Sequence, residues 1–130
     1  MRREVANLQT LANAGGSVPR VLDHNTGQFE NPGVELYVVM DLIPGPTLSE
    51  YVDKTSGLAI DTALRFALSL CETVRIAHTF PILHRDLKPE NIIVRDAEAP
   101  ALIVVDYGLS FNLLDDDITQ TEETFRNRFL

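Results

Sequence analysis

The chain has 130 residues, 45% of them hydrophobic and 23% charged. That size fits one small domain able to bury roughly two thirds of its unfolded surface, and the composition excludes wholesale disorder. Acidic residues outnumber basic ones by 19 to 11, giving a net charge of −8, so neither phosphate-rich nucleic acid nor an anionic membrane is expected as a general partner.

Residues 2 to 13 carry Val5, Leu8, Leu11 and Ala12 at helical spacing and end at the breaker Gly15-Gly16, which predicts a short helix with one buried stripe. Because Arg2-Arg3-Glu4 lies inside that pattern, the N-terminus does not read as a signal peptide. Nor does any apolar run approach the roughly 18 residues a membrane span needs. An intracellular soluble protein is the expectation. Val18 to Leu22 reads as a strand that Pro19 confines to an edge, followed by turns at Asn25-Thr26-Gly27 and Asn31-Pro32-Gly33.

Glu35 to Ile43 is the clearest strand of the first half. Its nearly continuous apolar character predicts burial on both faces. Pro44-Gly45-Pro46 ends it, and Thr47 or Ser49 is placed to cap a short helix reaching about Val52, with a loop at Thr55-Ser56-Gly57. From Asp61 to His78 the pattern is again helical, with Leu64, Ala67, Leu68, Cys71, Val74 and Ala77 assigned to the buried face. Cys71, the single cysteine, excludes an intrachain disulfide, fits a reducing compartment and is expected to fill core. Pro81 stops the helix.

Next come Ile82-Leu83 and then His84-Arg85-Asp86-Leu87-Lys88-Pro89-Glu90-Asn91, which matches H-R-D-L-x-x-x-N at every specified position. With residue frequencies of roughly 5–10%, such a match arises by chance less than about once per million windows. A hairpin of Ile92 to Val94 with Leu102 to Val105 delivers a second motif, Asp106-Tyr107-Gly108, fifteen residues after Asn91. Everything after Gly108 is polar, acidic and threonine-rich, and reads as a mobile loop. His24 and His78 have no ligand-spaced partners and read as structural or surface histidines, while Asp115 to Asp117 lacks the spacing of a calcium loop.

These two motifs give the chain a resemblance to eukaryotic-type protein kinase domains of the serine/threonine class. The resemblance implies an α+β, protein kinase-like fold over residues 1–130, with 1–43 ending the small lobe and 44–130 running from the start of the large lobe to the activation segment. It implies ATP-dependent phosphoryl transfer to Ser or Thr of a protein substrate, with ATP and Mg2+ as cofactors. Asp86 then accepts the proton of the substrate hydroxyl, Lys88 sits near the transferring phosphoryl group, and Asn91 and Asp106 hold magnesium. Met40 resembles the residue gating the deeper pocket, and the backbones of Asp41 and Ile43 face adenine.

Among regulatory positions, Glu4 resembles the ion-pairing glutamate of the small-lobe helix. Arg85 resembles the arginine that pairs with a phosphorylated activation loop, for which Thr119, Thr121 and Thr124 are candidate acceptors. His84 is expected to pack inward beside Leu8 and Tyr107.

The departures are specific. There is no G-x-G-x-x-G, the only lysines are Lys54 and Lys88, both after Glu4, and no A-P-E follows Gly108. The fold is therefore expected to lack the first strands of the small lobe and the later helices of the large lobe, to leave apolar surface exposed, and to have negligible activity as an isolated piece. The alternative is a truncated kinase-like protein acting as a non-catalytic binding or scaffold module. A small-molecule phosphotransferase is disfavoured by Lys88-Pro89-Glu90, which resembles the protein-kinase loop.

Overall fold

Helix α1, Arg2–Asn13, forms where the apolar stripe predicts it, and buries Val5, Leu8 and Leu11. The Gly16 amide donates to the Leu11 carbonyl and the Gly15 amide to that of Ala12, the paired bonds of a Schellman terminus. The computed structural model describes residues 2–95, 102–107 and 111–112. Among these, no helix is long and apolar enough to cross a membrane.

Strands β1 (Val21–His24) and β2 (Val38–Met40) pair antiparallel, with an irregularity between Val21 and Asp23. Both differ from the sequence expectation. β1 starts three residues late because Pro19 and the Arg20 main chain precede the ladder. β2 is a fragment of the expected strand and is not buried on both faces: Val39 is 46% and Leu42 92% exposed. Among the described residues β1 is its one paired strand and no β2 side chain is buried on either face, so apolar sequence does not become core here.

Helix α2, Leu48–Thr55, has a complete capping box: Thr47 accepts from the Glu50 amide, and the Glu50 carboxylate accepts from the Thr47 amide. Helix α3, Ile60–Thr79, is the longest element, as expected, but it buries a different face. Phe66 and Thr73 are buried together with Ala77, which was expected there, whereas Leu64, Leu68 and Cys71 are exposed. At about 100° per residue, Phe66 points about 160° away from Leu64 and Leu68. The helix is apolar around most of its girth, so hydropathy does not choose between arcs. Contact with α2 and the hairpin does: Tyr51 meets Phe66 edge-on at 5.7 Å.

Past α3, β3 (Ile82–Leu83) pairs with β6 (Phe111–Asn112), while β4 (Ile92–Val94) pairs in register with β5 (Leu102–Val104). The hairpin is as expected. The pairing of residues 111–112 corrects the reading of everything after Gly108 as loop; the remaining residues there lie outside the described ones. Two cores result. One joins Leu8, Leu11, Ala77, Ile82, Val104 and Tyr107, and the other joins Phe66, Ile92, Val94 and Leu102; Leu70 packs against both. Full burial of a Leu such as Leu8 or Leu11 is worth about 1.5–3 kcal/mol, so α1 is fastened to the β5 end that carries the second motif.

Candidate active site

The octapeptide is folded so that its ends meet. A short 3-10 turn, Pro89–Asn91, brings Asn91 back toward Asp86, and the Asn91 amide nitrogen Nδ2 donates both to the Asp86 carbonyl (2.9 Å) and to its Oδ2 (3.1 Å). Since both neighbours are acceptors, the side-chain orientation of Asn91 is fixed by chemistry, and Oδ1 is turned the opposite way. Asn91 itself is buried.

Lys88 completes a triangle, its Nζ 2.9 Å from Asp86 Oδ2. That hydrogen bond is the main reason the Asp86 carboxyl is held below its usual range, with the Asn91 amide helping and desolvation opposing. Reciprocally, Asp86 raises the Lys88 ammonium, and weaker contributions come from Glu90 and Asp106. Asp106 thus lies within electrostatic reach of the same ammonium as Asp86. The two carboxylates belong to one neighbourhood.

His84 ties the two motifs together, beyond the packing role read from sequence. Its Nδ1 accepts from the Asp86 amide (3.3 Å) and its Nε2 lies 3.0 Å from the Val105 carbonyl, so a ring carrying its proton on Nε2 satisfies both contacts. The Tyr107 ring stands edge-on at 4.6 Å, as expected of this pair. Tyr107 is buried in the core that holds Leu8, and burial pushes its hydroxyl pKa well up. A further bond from the Val105 amide to the Asn91 carbonyl (2.9 Å) fastens the hairpin beneath the loop. Arg85 and Asp106 both take left-handed backbone (φ 65° and 60°), a conformation costly for non-glycine residues that concentrates at functional sites.

The remaining candidates lie around this cluster. Met40 ends β2 opposite Val21 and is 38% exposed, while Asp41 begins the linker, residues 41–45, that leads from β2 toward α2, and Ile43 is half-buried within it. Glu4 is half-buried in the first turn of α1, and Arg85 is exposed. Thr119, Thr121 and Thr124 lie outside the described residues. His24 is structural, meeting the Thr26 hydroxyl at 3.0 Å. No cluster of three or more His, Cys, Asp or Glu that could hold a metal occurs among the described residues. Oxygen donors suited to a hard cation are nonetheless present in Asn91 Oδ1 and the Asp106 carboxylate.

Sequence reasoning missed Gly45. Between the linker and α2, the Pro46 carbonyl accepts from the Val94 amide (2.9 Å) and Thr47 bridges Ile93, so the post-linker segment adds to the edge of β4 three residues beyond Asn91. The Pro-Gly-Pro signal marked a break there but not what it packs against.

Residues 3–126 match the model of the protein kinase domain family. Among curated relatives, the chain is 34% identical over 128 residues to serine/threonine-protein kinase pim-2 of Danio rerio, covering 93% of the chain and 40% of that protein. It is 33% identical over 101 residues to a probable serine/threonine-protein kinase PknB of Lactococcus lactis, covering 78% of the chain and 15% of the relative. It is 32% identical over 123 residues to PknB of Mycolicibacterium smegmatis, covering 92% and 19%. The chain spans less than half the length of these relatives. With both motifs juxtaposed and nearly every residue inside the match, the chain belongs to the protein kinase domain family.

Proposed function

We propose that the chain is the central part of a serine/threonine protein kinase domain, residues 1–43 ending the small lobe and 44–130 reaching from the start of the large lobe to the activation segment. The complete domain transfers the γ-phosphoryl group of ATP to Ser or Thr of a protein substrate. What carries this reading is the hydrogen-bonded triangle of Asp86, Lys88 and Asn91 beside Asp106.

Phosphoryl transfer leaves a protein little covalent work: it must align the hydroxyl, balance charge and exclude water. Asp86, kept ionised by Lys88, accepts the hydroxyl proton, a role that contributes about 10²–10⁴-fold when the base is well placed. The Lys88 ammonium lies where the phosphoryl charge would pass. Asn91 Oδ1 and Asp106 would hold magnesium, which supplies neutralisation of phosphate charge when bound. Met40 and the backbones of Asp41 and Ile43 border the adenine, Glu4 and Arg85 are regulatory, and Thr119, Thr121 and Thr124 are the candidate phosphate acceptors.

By themselves the 130 residues transfer negligible phosphate, since they carry no glycine-rich loop and no lysine before Glu4. The same observation favours a second reading, a non-catalytic module that holds a partner or binds nucleotide weakly. Titrating ATP with and without Mg2+ separates the outcomes. Weak binding that Mg2+ strengthens in the unmodified chain but not in Asp106→Asn supports the kinase reading, and binding indifferent to Mg2+ favours the second. Robust transfer of radiolabelled phosphate by the isolated chain, abolished in Asp86→Asn, overturns the statement that it is inactive alone.

A further inference from the structure

Arg20 directly precedes β1 and Asp41 directly follows β2, so the two meet at the end of the first sheet where the chain departs for the linker. They are joined twice. The Asp41 amide donates to the Arg20 carbonyl at 2.9 Å, and Arg20 Nε donates to Asp41 Oδ2 at 2.8 Å. The carboxylate is the better covered partner, its side chain 27% exposed against 73% for the guanidinium. Its pKa is lowered chiefly by the hydrogen bond from Arg20.

A residue whose amide and side chain are both held keeps one soft main-chain torsion, ψ, before the next peptide. Arg20 therefore fixes where the Asp41 Cα sits and the heading from which residues 42–43 leave β2. Beyond Asp41 the linker has little support of its own, with Leu42 92% exposed. Its far end is fixed at Pro46 and Thr47, against β4. Arg20 supplies the anchor at the near end.

We propose that Arg20 is a positioning residue for base recognition: by gripping Asp41 it holds residues 41–43 in the shape that presents their backbone groups to a purine edge. This rests on the assignment of the linker to adenine. Loss of the anchor weakens ligands that carry the base and spares those that are phosphate alone, whereas a general loosening of the fold weakens both.

The test titrates 15N-labelled chain with Mg·ATP and, separately, with Mg·tripolyphosphate, following amide shifts. Arg20→Met is expected to weaken ATP about two- to fivefold, the range typical of a partly exposed pair, and to leave tripolyphosphate unchanged. Arg20→Lys, which keeps the charge but not the Nε geometry, recovers part of the loss. The charge swap Arg20→Asp with Asp41→Arg recovers most of it. Equal weakening of both ligands, no weakening of ATP, or no recovery in the swap overturns the inference. If the unmodified chain binds ATP no better than tripolyphosphate, the adenine assignment itself fails and takes this inference with it, an outcome distinct from the other three.

Discussion

Gly45 has φ +130°, and a Cβ built on it would fall inside the van der Waals sphere of the Val94 carbonyl oxygen, 3.1 Å from the Val94 carbonyl carbon and 3.4 Å from Ile93 Cγ2. Gly45→Ala therefore imposes two costs. Backbone at that φ is nearly glycine-only and costs about 1–3 kcal/mol for an L-residue. The obstructing atom is strand backbone, which cannot rotate aside, so the linker must lift from β4, and the Val94 to Pro46 hydrogen bond goes with it, about 0.5–1.5 kcal/mol more. The expected loss is about 2–4 kcal/mol, a large fraction of the roughly 5–15 kcal/mol that holds a domain together.

Gly57→Ala is the matched control. Gly57 has φ +118° but open space around its Cβ position, so it bears the conformational cost without the collision. The unfolded chain is stiffened similarly in both variants, and that contribution cancels in the comparison. Urea unfolding followed by far-ultraviolet circular dichroism, with hydrogen exchange at the Val94 amide, reads the difference. A Gly45→Ala chain no less stable than Gly57→Ala, with Val94 still protected, would refute the contact between the post-linker segment and β4.

The face of α3 is tested by Phe66→Ala, expected to cost about 3–5 kcal/mol, against Leu68→Ser, expected to change stability by no more than about 0.5 kcal/mol; the reverse order in urea unfolding would restore the sequence-based face. Lys88→Met removes the main cause of the depressed Asp86 pKa, so the Asp86 carboxyl should titrate at higher pH, as read by carboxyl-carbon nuclear magnetic resonance. In the unmodified chain the pair persists through the ordinary carboxylate range and is lost only as pH falls through the lowered Asp86 value; an unmoved titration in the variant contradicts the ion pair. Because burial raises the Tyr107 hydroxyl, its contribution is fully present below the ordinary tyrosine range and lost as pH rises through the folded value. Tyr107→Phe should remove that alkaline loss at little cost, whereas Tyr107→Ala should cost about 3–5 kcal/mol, both measured by unfolding across pH.

Some of this molecule is written in short-range chemistry. The octapeptide from His84 to Asn91 closes on itself through bonds between its own members, so its spacing alone announced which side chains would meet. The helix over residues 2–13 and the hairpin of β4 with β5 were equally legible, since each has a local pattern, a bounding turn and one way to bury its apolar positions.

What the sequence by itself determined, then, was the pair of motifs, the elements that carry them and the family to which they point. Only the tertiary structure decided which arc of α3 faces inward, that no residue of β2 is buried, that Gly45 rests against Val94, and that Arg20 grips Asp41 from 21 residues away. The division follows from physics. Periodicity records how much apolar surface an element has, but burial depends on which neighbour arrives to cover it, and a contact between distant residues leaves no local trace in either of them.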